Sequence, residues 1–234
     1  MQRSFSVVDI QQDFVVLDKA PGVSFHSDDG PGLVALAAAE LGYDLFAVHR
    51  LDKVTSGLII LARSSDAAAK FTALFSQHQI EKYYLALSAG RPSKKQGWVK
   101  GDMVAARRSA WKLLNTQHNP AVTYFITQGF DALPFRAFLL KPFSGKTHQI
   151  RVAMKSLGAA INGDELYTGQ PADRVYLHAY ALRFSFAGKI YQYVAEPTYG
   201  EQFQQLVSHQ GLNPWLSPWQ LSWPDYKQPK QVNA

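Results

Sequence analysis

Short apolar runs closed by turn residues, interrupted by three stretches of helical period, organise this chain of 234 residues. Residues 14–17 and 58–61 are continuous apolar runs of strand length. Further strands are expected over 83–88, 122–127, 136–141, 175–178, 182–186 and 191–194, each bounded by glycine, proline or polar turn residues. A helix is predicted over 31–41, with Pro31 at its start and Gly42 just beyond its end. A second is predicted over 66–78, capped by Ser65, with Ala69, Phe71, Leu74 and Phe75 toward the core. The third covers 148–157 and is closed by Gly158; Ile150, Ala153, Met154 and Leu157 form its buried stripe, while His148, Arg151 and Lys155 share another face. Together these elements describe a single strand-rich domain of mixed α and β structure. Residues 1–200 are read as that domain. Residues 201–234, with Pro214-Trp215-Leu216-Ser217-Pro218-Trp219, are read as an irregular extension packed on it or trailing from it.

One polar segment stands directly before the 58–61 run: His49-Arg50-Leu51-Asp52-Lys53-Val54-Thr55-Ser56-Gly57. Thr-Ser-Gly is turn chemistry, and its glycine can reach backbone angles that other residues avoid. Asp52 therefore sits at the edge of a rigid strand, between Arg50 and Lys53, whose positive charge favours the anion. That suits a nucleophile better than a proton donor. Taken singly, the same residues have plainer readings. Asp52 between two cations makes a surface salt bridge, Tyr84 a core aromatic in a strand, and Arg151 and His148 polar positions on an amphipathic helix. His49 and His178 read as structural histidines.

Three segments in order give those residues a common meaning. The loop just quoted resembles the catalytic motif of the RluA family of RNA pseudouridine synthases, His-Arg-Leu-Asp followed two residues later by Thr-Ser-Gly. Glu81-Lys82-Tyr83-Tyr84-Leu85-Ala86-Leu87 resembles that family's second motif, a lysine, any residue and a tyrosine before an apolar strand. By that register the functional tyrosine is Tyr84 rather than Tyr83. Gly145-Lys146-Thr147-His148-Gln149-Ile150-Arg151-Val152, then Leu157-Gly158 and Asn162-Gly163-Asp164, resembles the third, whose arginine lies beside the catalytic aspartate. Lys19-Ala20-Pro21-Gly22 is similar to the family's amino-terminal Lys-Pro turn with the proline one place late, and Tyr176-Leu177-His178-Ala179 to a late segment whose leucine packs under the active site. The chain departs from the pattern at Lys146, where arginine is usual, keeping the charge but losing the forked donor geometry. Ala153 replaces a frequent histidine without touching a catalytic role.

The resemblance implies an α+β fold, a single catalytic domain with a long mixed, mainly antiparallel β-sheet flanked by helices and loops, and with it a cofactor-free isomerase that swaps the nitrogen–carbon glycosidic bond of a uridine for a carbon–carbon bond. It assigns Asp52 as nucleophile, Arg151 as its orienting partner and Tyr84 as the residue that positions the uracil ring or acts as a base. Arg50 fills the gap left by the flipped base. His49, Thr55, Lys146, His148 and Leu177 then belong to the substrate-binding surface. Structured RNA, ribosomal or transfer, is the implied partner.

Composition adds to this at one place. Lys and Arg number 24 against 18 Asp and Glu, a formal charge of +6. Arg91, Lys94, Lys95, Lys100, Arg107, Arg108 and Lys112 crowd one stretch whose only acid is Asp102, with Trp98 and Trp111 interleaved. Such a surface neutralises phosphates and stacks on bases, so Arg107 and Arg108 are candidate RNA contacts. The absence of cysteine excludes disulfides and thiolate metal sites, and no histidine pair has the spacing of a helical metal site. No metal is expected. No run approaches the roughly 20 apolar residues of a membrane span, and the first residues lack a signal-peptide core. A cytoplasmic monomer without membrane attachment and without an accessory RNA-binding domain is therefore the expectation. Two alternatives stay open: a nucleoside or glycoside hydrolase using Asp52, which needs a second carboxylate such as Asp164 or Glu165 nearby, and a catalytically silent RNA-binding protein.

Overall fold

The apolar runs pair into one ten-stranded sheet in the computed structural model, which describes residues 3–25 and 30–226. In chain order the elements are β1 (Phe5–Ile10), β2 (Phe14–Lys19), α1 (Leu33–Leu41), β3 (Phe46–Ala47), β4 (Ser56–Ala62), α2 (Ser65–Ser76), β5 (Glu81–Ser88) and β6 (Gln96–Gly101). Then follow β7 (Met103–Ala105), β8 (Trp111–Leu113), β9 (Ala121–Gly129), β10 (Arg136–Pro142), α3 (Gln149–Ser156), β11 (Leu177–Phe186), β12 (Lys189–Val194) and α4 (Glu201–Ser208). The sheet runs β1-β2-β4-β11-β5-β10-β9-β6, with β3 beside β4 and β12 beside β11, while β7 and β8 form a separate hairpin. Among the described residues its ladders are antiparallel except β4 with β11. This is the mixed, helix-flanked α+β sheet that the resemblance implies, built from the strands that the apolar runs predict.

Several boundaries move for identifiable reasons. The first helix begins at Leu33, after Gly32, so Pro31 lies outside it. The cap of α2 is Ser64, whose hydroxyl accepts the Ala67 N–H, and this one-place shift buries Ala67 while Ala69 is exposed. The runs 175–178 and 182–186 are one strand, β11, whose irregular register between Ala179 and Ala181 breaks the alternation that periodicity detects. β1 escapes pattern reading because it lies at a sheet edge with only Phe5 buried. The extension expected to be irregular from 201 opens with a helix, α4, which buries Phe203 and Leu206; two 3-10 turns follow and seat Trp215 in the core. Its last part, 227–234, lies outside the described residues.

The sheet carries two main apolar layers. One joins β5, β9 and β10 to α3 and α4 through Phe138, Met154, Phe203 and Leu206. The other joins β2, β4, α2 and β11 around Phe14, whose ring meets Phe71, Phe184 and Phe186 edge-on at centroid distances of 5.3, 5.6 and 5.7 Å. Such edge-to-face pairs are the favoured aromatic geometry.

The parallel β4–β11 seam is where the two halves join. Gly57 has φ +110, and a Cβ there would lie 2.3 Å from the Ala179 carbonyl oxygen, so the strand can approach only with glycine at this position. Beside it, the fully buried His178 lies 2.9 Å from the Ala195 oxygen through Nε2 and 2.8 Å from the Ser56 hydroxyl through Nδ1. A carbonyl only accepts, so Nε2 carries the proton and Nδ1 accepts from Ser56, which itself accepts from Arg174 Nη2 at 2.9 Å. Burial pushes the His178 imidazole down to about 3, against 6.5 in the open. The unfolded chain therefore takes up a proton that the folded chain refuses. This stabilisation is complete above about pH 6.5 and is lost as the pH falls toward about 3, at most on the order of 5 kcal/mol. Unfolding free energies measured across that window should decline, and His178→Asn should flatten part of the decline while lowering stability at pH 7.

Candidate active site

The Asp52 loop is held from three sides before any ligand arrives. Leu51 is buried, the Asp52 carbonyl accepts the Thr55 N–H at 3.0 Å, and Thr55 is itself buried. His49 Nε2 accepts the Ile60 N–H of β4 at 2.9 Å while its ring stacks on Phe75 with centroids 4.4 Å apart. Burial, then the positive charge of Lys82, pushes this imidazole down to about 3, which keeps it a neutral acceptor. His49 thus lines the cavity but spends its ring nitrogen on β4. Below the loop, Lys19 Nζ donates to the carbonyls of Ala20, Val23 and Lys53 at 2.9, 3.1 and 3.2 Å, and the Gly22 N–H reaches the Lys53 carbonyl at 2.8 Å. The Lys-Pro-like turn is therefore the buttress of the Asp52 loop, a function that its sequence did not disclose.

Opposite stands α3, whose start is pinned by Gln149. Its side-chain oxygen accepts from the Ser144 hydroxyl and the Lys146 N–H, and its amide nitrogen donates to the Val122 carbonyl and the Thr123 hydroxyl. The preceding residue, His148, is not helical as expected but left-handed, with φ 56. That turn sends its ring toward the loop, with Nε2 3.9 Å from Asp52 and Nδ1 2.9 Å from the Tyr167 hydroxyl. Nor is Arg151 on an open face. Residues 149–154 are all buried, and Arg151 is 6 % exposed.

What makes that burial tolerable is Asp164, 1 % exposed, which takes Arg151 Nε at 2.7 Å and Nη2 at 2.8 Å in a two-pronged pair. The third nitrogen, Nη1, is left to face Asp52 Oδ2 at 3.6 Å, and the Tyr167 ring lies 5.0 Å from the guanidinium carbon. Arg151 is thereby aimed at Asp52 rather than consumed by it. Asp164 was quoted in a motif without this role, and Tyr167 was missed. The same pair occupies Asp164, so it offers Asp52 no free second carboxylate for hydrolysis.

Between loop and helix lies a cavity of about 490 Å³ lined by Arg50, Asp52, Thr55, Tyr84, Lys146, His148, Arg151 and Leu177. Among the described residues Asp52 is the single acid in its lining. Tyr84 points in from β5, whereas Tyr83 points to the opposite face, bonds Glu81 and packs on Trp223. Burial, then the charge of Asp52, drives the Tyr84 phenol far above its usual range, which favours a ring that packs and donates over one that takes protons. Lys146 is tethered to Asn119 at 2.8 Å. Arg107 and Arg108 are exposed at the tip of the β7–β8 hairpin and do not line the cavity. That hairpin is nonetheless tied to the site, since the Trp111 N–H donates to the Tyr167 hydroxyl at 3.0 Å. Trp98 is not a free stacking platform: its ring packs with Tyr124, Phe143 and Tyr226 beneath Lys100. Among the described residues no group of three metal-ligating side chains exists and no helix is long and apolar enough to cross a membrane.

Comparison with known proteins matches residues 13–156 to the RNA pseudouridylate synthase family. An RNA pseudouridine synthase of Haemophilus influenzae is 48% identical over 199 residues, covering 83% of this chain and 88% of its own. The dual-specificity RNA pseudouridine synthase RluA of Salmonella typhi is 34% identical over 142 residues, 58% of this chain and 65% of its own. In fold, the chain resembles human RNA pseudouridylate synthase domain containing 1, with a TM-score of 0.72 at 23% identity over 95% of this chain and 97% of that one.

Proposed function

The chain belongs to the RNA pseudouridine synthase family, of the RluA type, and from that premise we propose that it isomerises a specific uridine of structured ribosomal or transfer RNA with Asp52 as nucleophile. The observation that carries the assignment is the Asp164–Arg151–Asp52 line, in which a buried carboxylate uses two guanidinium nitrogens and leaves the third for the one acid of the cavity. A carboxylate so oriented, open to solvent at 21% of its side chain, can attack either the ribose C1′ or the uracil ring. The Asp52 oxygen bonds to the carbon it attacks and the N1–C1′ bond breaks; the ring turns, C5–C1′ forms, the bond to Asp52 is released to restore the carboxylate, and the C5 hydrogen leaves as a proton while N1 gains one. Nothing is oxidised or reduced, which agrees with the expected absence of a cofactor.

The other residues take roles around that step. Tyr84 packs against the uracil ring, and Leu177 closes the cavity beneath it. Arg50, exposed beside Asp52, fills the stack that the flipped uridine vacates. Thr55 and His49 hold the loop, Lys146 and His148 face the backbone, and Arg107 with Arg108 extends the contact along the RNA. Residues 1–200 act as the catalytic unit with 201–234 as its extension, working in the cytoplasm where the substrate RNA resides.

Uridine-5-tritiated RNA from cells lacking this protein tests the reading. The enzyme should release tritium while leaving the chains intact and freeing no uracil. Freed uracil would assign a hydrolase instead, and binding without release or cleavage would assign a silent RNA-binding protein.

A further inference from the structure

Lys82 lines the cavity without an anion of its own. On β5 it shares a face with Tyr84, two residues or roughly 6.6 Å along the strand. Its neighbour Glu81 points to the other face, where Tyr83, Lys141 and Arg183 engage it. Among the described residues Lys82 Nζ has no hydrogen bond or salt bridge. Its ammonium lies 5.8 Å from the centre of the Phe75 ring and close to Gly145, where a Cβ would come within 3.9 Å of it. The surroundings are basic. His78 and Lys146 line the same end of the cavity, the cavity's one acid already faces Arg151 and His148, and His78 is exposed toward solvent.

We propose that Lys82, with Lys146 and His78, forms a phosphate subsite that grips the RNA backbone beside the flipped uridine. Resting on the RNA reading above, this adds a contact that neither the comparisons nor the motifs assign. A partly buried ammonium without a partner is unfavourable in the free protein and becomes favourable when a phosphate enters. Burial indeed lowers its pKa to about 8, and burial together with Lys82 and Lys146 lowers that of His78, as expected where cations converge without a counterion. RNA supplies one phosphate per nucleotide. The subsite is displaced along β5 from the ring position at Tyr84, on the side where the exposed His78 joins the lining.

Filter binding of the same cellular RNA across a salt series, with tritium release measured in parallel, tests it. Lys82→Met should weaken binding by about tenfold and reduce the slope of log affinity against log salt by about 0.7 to 0.9. KM should rise by more than kcat falls, and Lys82→Arg should recover most of both. Because the methionine removes an uncompensated charge, its unfolding midpoint should rise, which separates lost contact from lost fold; Lys82→Gln serves the same measurements should the methionine variant misfold. Unchanged affinity and slope would overturn the proposal, as would a fall in kcat with binding intact, which would move the ammonium onto the uracil ring. Failure of the uridine reading looks different: the wild type would bind RNA and release no tritium, while the Lys82 effect on binding would persist.

Discussion

Asp52→Asn should abolish tritium release, by at least about a thousandfold, in a protein that remains folded. The amide has the shape of the carboxylate but cannot form the covalent bond on which the isomerisation depends. Folding should be nearly indifferent. The Asp52 side chain is partly exposed and meets Arg151 at 3.6 Å and His148 at 3.9 Å, while the loop is held by the Asp52 carbonyl, Leu51 and Lys19 rather than by the carboxylate. Arg151 is buried but keeps both of its bonds to Asp164, so the 3.6 Å contact with the partly exposed Asp52 is not what compensates its charge, and the unfolding midpoint should shift little. Melting curves and tritium release on the same preparations check both halves. Activity surviving in a folded Asp52→Asn protein would end the nucleophile assignment.

Removing Asp164 should do the reverse, striking stability first. Asp164→Ala strands the buried Arg151 guanidinium after its two short hydrogen bonds are gone, and breaking one side of a buried pair costs about 3 to 5 kcal/mol. Activity should fall with it even in the fraction that remains folded, because Arg151 is then free to close on Asp52 and cover the nucleophile. Asp164→Asn keeps one acceptor and should lose less of each. Urea unfolding gives the first quantity, and single-turnover kinetics at saturating RNA the second. If Asp164→Ala is as stable as the wild type, the pair does not organise the site as described.

The apolar runs were legible because strands buried on both faces, such as β4 with every residue buried, write an uninterrupted hydrophobic signature. β1, with only Phe5 buried, and β3, β6, β7 and β8, none with more than two buried residues, lack that signature and went unread. The start of α2 slipped by one place because Ser64 and Ser65 can both cap, and only the bond from the Ala67 N–H to Ser64 decides which one does. At the site, Asp52, Tyr84 and Arg151 were legible through ordered motifs. The supports of those residues were not. Lys19 lies 33 positions before Asp52 and Asp164 lies 13 beyond Arg151, and hydrogen bonds between such residues have no period to read.

The sequence by itself determined the class of fold, the family of the chain and the residues that face the chemistry, because burial pattern and motif identity are local properties of the chain. The tertiary structure alone decided how those residues are held. It placed Asp164 behind Arg151, turned His148 left-handed toward Asp52, closed the β4–β11 seam on Gly57, and left Lys82 without a counterion. Each of these depends on a charge or a backbone surface meeting another from a distant part of the chain, and the free energy of such a meeting is set by burial that exists only after folding.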